Sequence, residues 1–196
     1  MNFRILLFLL LLSASLSGFS QEPKKWKYSY TNRYWGVRDG LAQTQVFESF
    51  QDSYGYLWFS TNDGVSRFDG LRFDNFSRDE LHINSKVKYF NQYGPAVYMI
   101  TRNAIVFVYP DRTKAYYPLP DNYRVRDADV VLDEDCIYLF NCYSHIISYT
   151  NNVYKLIRFD LKTKTFTVGE EDVPFTQACV FGKKIYAVSP YKIKNH

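Results

Sequence analysis

Three cysteines, two methionines and three histidines in 196 residues leave little material for sulfur or imidazole chemistry. A small secreted disulfide scaffold would need more cysteine than this. Cys136 and Cys142 fall in one apolar run, CIYLFNC. If that run is a strand rising about 3.3 Å per residue, the two lie roughly 20 Å apart, whereas a disulfide needs Cα atoms within about 7 Å. Cys136, Cys142 and His145 could start a metal site, but no fourth ligand stands at a useful spacing. All three thiols, Cys179 included, therefore read as buried apolar side chains. A strong charge of one sign is also missing. Lys and Arg number 24 against 20 Asp and Glu, a dispersed net +4, which argues against nucleic acid as a partner. No apolar run reaches the roughly 18 residues that cross a bilayer.

What apolar run there is stands at the front. Met1–Ser20 carries one cation, Arg4, then Ile5–Leu12, then small residues ending Gly18-Phe19-Ser20. That order is a secretory signal, with the mature chain beginning near Gln21, and it places the protein in the periplasm. The rest is aromatic, with 18 Tyr and 16 Phe, a composition that favours strands and excludes disorder or a coiled coil.

Turn residues cut Val46–Phe76 into four short aromatic pieces, at about 46–51, 56–61, 65–69 and 72–76. Asp52-Ser53-Tyr54-Gly55, Asn62-Asp63-Gly64 and Asp69-Gly70 each pair a turn-opening side chain with a glycine able to take positive φ. Four strands joined by tight turns make an antiparallel meander. The unit returns: YLWFSTNDG at 56 lines up with VYMITRNAI at 97, which pairs Leu57 with Tyr98, and further copies place Tyr138 and Tyr186 at the same point. Arg158-Phe159-Asp160 repeats Arg67-Phe68-Asp69 after an insertion near 143–153. A period of 40 to 48 residues marks a propeller or solenoid. The expected fold is all-β, about three and a half four-stranded β-propeller blades. A signal peptide occupies 1–20, a lead-in 21–43, and the blades about 44–84, 85–127, 128–174 and, in part, 175–196. So few blades form an incomplete propeller, the front of something longer.

Asp39-Gly40-Leu41-Ala42-Gln43, and then Gln51-Asp52-x-x-Gly55-x-Leu57-Trp58-Phe59-x-Thr61-x-x-Gly64-Val65-x-Arg67-Phe68-Asp69-Gly70, make a nearly complete repeat that resembles the two-component regulator propeller family. Those repeats form the periplasmic sensor region of Bacteroidetes hybrid histidine kinases and related regulators. Ser60 departs from the glycine usual there, and the later copies keep only the aromatic and turn skeleton. The resemblance implies further C-terminal blades, an immunoglobulin-like module, a membrane helix and a cytoplasmic output domain in a longer parent. It implies no catalytic residue and no cofactor here.

Trp58 reads as core, and the turn carboxylates read as backbone caps rather than calcium ligands. Ligand residues are expected where the loop between second and third strands and the crossover to the next blade open at one end. That set is Asn62, Asp63, Arg102, Asn103, Tyr143, His145 and Tyr149, with Arg78, His82, Arg124 and Arg126 beside it. Tyrosine faces and amide or hydroxyl groups on such loops suit an oligosaccharide. The expected function is non-catalytic sensing. The alternatives are a propeller lyase or glycosidase, for which no convergent acid pair is evident, and a protein-docking scaffold.

Overall fold

Turns close where the aspartates and glycines stand. In the computed structural model, which describes residues 32–125, 130–143, 154–170, 177–181 and 184–188, the first sheet contains β1 (Val46–Gln51), β2 (Leu57–Thr61), β3 (Gly64–Phe68) and β4 (Phe73–Ser77). The second contains β5 (Tyr89–Tyr93), β6 (Ala96–Ile100), β7 (Ala104–Val108) and β8 (Lys114–Pro118). The third contains β9 (Val130–Leu132), β10 (Cys136–Tyr143), β11 (Tyr154–Asp160) and β12 (Phe166–Val168), and β13 (Gln177–Phe181) pairs with β14 (Lys184–Val188). Each sheet is an antiparallel meander with strands in chain order. From Trp35 onward the described residues belong to one compact unit. Among them no helix is long and apolar enough to cross a membrane.

The core lies between sheets. Trp58, Val65 and Phe76 of the first sheet meet Val97, Met99 and Val106 of the second, with Leu81, Ile83 and Val87 of the connecting crossover closing the cluster. The other face of the second sheet, Tyr98, Ile100, Ile105 and Phe107, meets Ile137, Leu139, Ile157 and Phe159 of the third. A sheet covered on both faces has no polar side to show, so β6 and β7 read as the unbroken apolar runs AVYMI and AIVFV. Residues 35–42 pack on the first sheet's other face. Trp35 packs edge-on against Phe68 at 4.7 Å, the Ala42 N–H donates to Ser66 Oγ at 3.1 Å, and Asn75 Nδ2 donates to the Gly40 carbonyl at 2.9 Å.

Two expectations need correction. Thr61 Oγ1 donates to the Gly64 carbonyl and Thr101 Oγ1 to that of Ala104, so the turns are equivalent at an offset of 40, where the sequence alignment had used 41. Trp58, not Leu57, is the counterpart of Tyr98. The cross-strand pairs Trp58–Arg67, Tyr98–Phe107 and Tyr138–Arg158 carry the same phase through three sheets. A one-residue slip exchanges the faces of a strand, so the distinction decides what is core. The cysteines also divide: Cys136 and Cys142 are buried in β10 and Cys179 is exposed, all three as free thiols.

Successive sheets are also joined by cations reaching backward. Arg112, in the β7–β8 turn at φ 69°, lies over the Phe76 ring at 4.5 Å and bonds Asp74 and Glu80. Lys164, in the β11–β12 turn at φ 60°, places Nζ 3.8 Å from the centre of the Phe107 ring.

Candidate ligand-binding face

Antiparallel alternation brings the β2–β3 and β6–β7 turns, the crossover from β4 to β5 and the end of β10 at Tyr143 to one end of the sheets. At the first turn, Asp63 N–H donates to Thr61 Oγ1 at 3.2 Å, and Gly64 takes φ 131°. A Cβ there would stand 2.1 Å from the Phe76 carbonyl oxygen, so only glycine fits. Asn62 and Asp63 are therefore held out into solvent, and the Asn62 carbonyl accepts from Arg78 Nη1 at 3.4 Å.

The second turn is more deeply built. Arg102 N–H donates to Ser85 Oγ at 3.1 Å, the Arg102 carbonyl accepts from Val125 N–H at 2.7 Å, and Arg102 Nη2 donates to Tyr143 Oη at 2.6 Å. Arg124 pairs with Tyr143 through both backbone groups, at 2.8 and 3.0 Å. Lys88 Nζ reaches the Val125 carbonyl at 3.1 Å. Arg102, Tyr143, Arg124 and Lys88 thus form one connected group spanning the second and third sheets. Asn103 turns the other way, with Nδ2 donating to Tyr116 Oη at 3.2 Å and Oδ1 buried with no hydrogen-bond partner. His82, exposed at φ 53°, stands 6.2 Å from the Tyr116 ring.

The predicted site residues therefore fall into three places. Arg102 and Tyr143 touch, Asn103 bonds within its own sheet, and Asn62 and Asp63 belong to a separate turn bound to Arg78. His145, Tyr149 and Arg126 lie outside the described residues, as does the insertion at 144–153. Sequence reasoning passed over Ser85, Lys88 and Tyr116. Lys88 had a usable signal, being a cation set between the buried Val87 and the first strand of the second sheet. Ser85 and Tyr116 had none, because their partners are distant in the chain.

No family model matches the sequence, and no curated protein matches it. Solved structures do. The extracellular domain of a B. thetaiotaomicron signalling protein, described both as a one-component and as a hybrid two-component system, superimposes with TM-scores of 0.62 and 0.61 at 14% and 15% identity. The alignment covers 80% of this chain and 21% of that one. The extracellular domain of a second B. thetaiotaomicron hybrid two-component system matches at TM-score 0.50 and 20% identity, over 69% of this chain and 19% of that one. The WD40 domain of Neurospora crassa Pan2 matches at 0.51 and 12% identity, covering 71% and 42%. WD40 domains are rings of four-stranded blades. The sheets of this chain are propeller blades. It spans about a fifth of the length of the bacterial extracellular domains it matches. In blade terms, Arg102 and Tyr143 clasp the second blade to the third at the end where crossovers and second-to-third-strand turns meet.

Proposed function

We propose that the chain belongs to a non-catalytic, extracytoplasmic sensing module of a two-component-type signalling protein, exported to the periplasm and binding an oligosaccharide at the end that carries Arg102 and Tyr143. Structural likeness to extracellular domains of hybrid two-component systems supports the sensing role. The observation that carries the site is the Arg102–Tyr143 contact between neighbouring blades. A guanidinium and a phenol ring held together at the mouth of a rigid scaffold can bond sugar hydroxyls and cover an apolar sugar face. Further blades and an output domain in a longer parent would carry the event onward, since binding biases signalling by its difference in affinity between two states. The signal peptide at 1–20, the lead-in at 21–43 and the blade limits given above belong to the same proposal, with Asn62, Asp63, Asn103, His145 and Tyr149 as additional contacts.

Calorimetry with a panel of plant and host oligosaccharides tests it. At least one should bind, and Tyr143→Ala should weaken that binding by about 1 to 3 kcal/mol, the scale of a buried aromatic contact. A folded chain that binds none of the panel would remove the oligosaccharide reading. Undiminished affinity in Tyr143→Ala would move the site elsewhere. Cleavage before Gln21 in the secreted protein, read by N-terminal sequencing, tests the export signal.

A further inference from the structure

An ammonium withdrawn from water keeps three N–H donors that need acceptors. Lys114 meets Glu80 at 2.6 Å, Lys155 the Glu170 carbonyl at 2.6 Å, Lys162 Asp135 at 2.7 Å and Lys88 the Val125 carbonyl at 3.1 Å. Lys164 is placed differently. It is half-buried, its Nζ stands 3.8 Å from the centre of the Phe107 ring and 4.9 Å from that of Tyr93, and among the described residues it bonds no oxygen. Lys86 also lies over a ring, that of Phe47, but it is exposed and stays in contact with water.

Three elements build this place. β5 supplies Tyr93, β7 supplies Phe107, and the β11–β12 turn delivers Lys164 from the next blade, at the end of the sheets opposite Arg102 and Tyr143. The carboxylate whose charge reaches Lys164 is Asp160, and its oxygens are already taken by Arg158 and by the N–H groups of Lys162 and Thr163. Burial pushes Lys164 below its ordinary value of 10.5, with Asp160 opposing. Ring faces attract a cation but offer no oxygen to its N–H groups, so the occupant that suits them is a cation with fewer of those groups. An amine desolvated among apolar groups also gives up its proton more readily and acts as a nucleophile.

We propose that Lys164 is a covalent modification site for small aldehydes, which its amine captures as a Schiff base. This goes beyond the sensing reading and does not depend on it. The neutral nitrogen attacks the carbonyl carbon, and its two hydrogens leave with the carbonyl oxygen as one water. A C=N bond replaces the C=O bond, and nothing is oxidised or reduced. Once protonated, the product keeps its positive charge over Phe107 and Tyr93 but carries one N–H in place of three, so the two rings fit it better than they fit the parent ammonium.

Limited treatment of the full chain with glycolaldehyde and cyanoborohydride at neutral pH, which fixes each imine as a secondary amine, followed by peptide mass mapping, decides the matter. Lys162 is the internal comparison: its side chain is 65% exposed, in the same turn, but it is bound to Asp135. Lys164 should be labelled at least about threefold faster than Lys162, and its labelling should persist to lower pH. Asp135→Asn should raise the labelling of Lys162 alone. Tyr93→Ser, which admits water at the rim of the ring pair, should bring Lys164 down toward Lys162. Should that variant fail to melt cooperatively, the comparison of the two lysines in the unaltered chain still decides. Labelling that follows exposure, with Lys162 ahead of Lys164, would overturn the proposal. So would a preference for Lys164 that survives in urea, where no fold remains to desolvate it.

Discussion

Trp58 has two partners of different kinds. Its ring stacks on Phe76 at 5.7 Å inside the interblade core, while Nε1 donates to Asp52 Oδ2 at 2.8 Å. The other oxygen of Asp52 accepts the N–H groups of Tyr54 and Tyr56, so one buried carboxylate ties the β1–β2 turn to the strand after it. Trp58→Phe keeps the stacking and removes the donor, leaving Asp52 short of a partner. The expected loss is about 1 to 3 kcal/mol, read as a lower denaturation midpoint with an unchanged slope. Asp52 was legible as a turn former because Asp followed by Gly is a turn signature. Its bond to the indole was not, since aromatic core and turn chemistry were read as separate matters.

Outer elements of the first two blades are held by charge as well as by packing. Arg67, Asp74, Arg112, Glu80 and Lys114 form a chain of ion pairs beside the Phe76 ring. The hydrogen bond from Lys114, followed by its charge and those of Arg112, holds the Glu80 carboxyl below its ordinary value of 4.5 against the opposing effect of burial. A carboxyl depressed on folding contributes stability above its unfolded value and loses it as pH falls through the folded one. Thermal midpoints should therefore drop as pH is lowered below about 4.5, and Glu80→Gln should flatten that part of the profile. Strand and turn positions in the first blade were legible to within a residue, because Asp, Asn and Gly punctuate it. The phase of the second was not. With every residue of β6 buried, alternation is absent, and nothing local says which face a side chain takes. Pairing Trp58 with Tyr98, aromatic with aromatic, was the available clue.

At the scale of the molecule, protection rises toward the second blade and falls toward β13 and β14, where Phe181, Tyr186 and Val188 remain exposed. Hydrogen exchange should follow that gradient: amides of β6 and β7 should exchange slowest and those of β13 and β14 fastest, and uniform exchange would contradict the packing described. Of the candidate site, the loops were legible because propeller topology fixes which end each connection reaches. The bond of Arg102 to Tyr143 was not, because the two stand 41 residues apart and meet only when neighbouring blades pack. The backward reach of Arg112 and Lys164 has a consequence in time. A chain emerges with its N-terminus first, and its parts fold in that order. Phe76, which has Arg67 of its own blade beside it, receives the Arg112 guanidinium only after the second blade has been made, and Phe107 the Lys164 ammonium only after the third. Each blade is therefore finished by its successor, and a chain halted between blades carries an uncovered aromatic ring at its growing end.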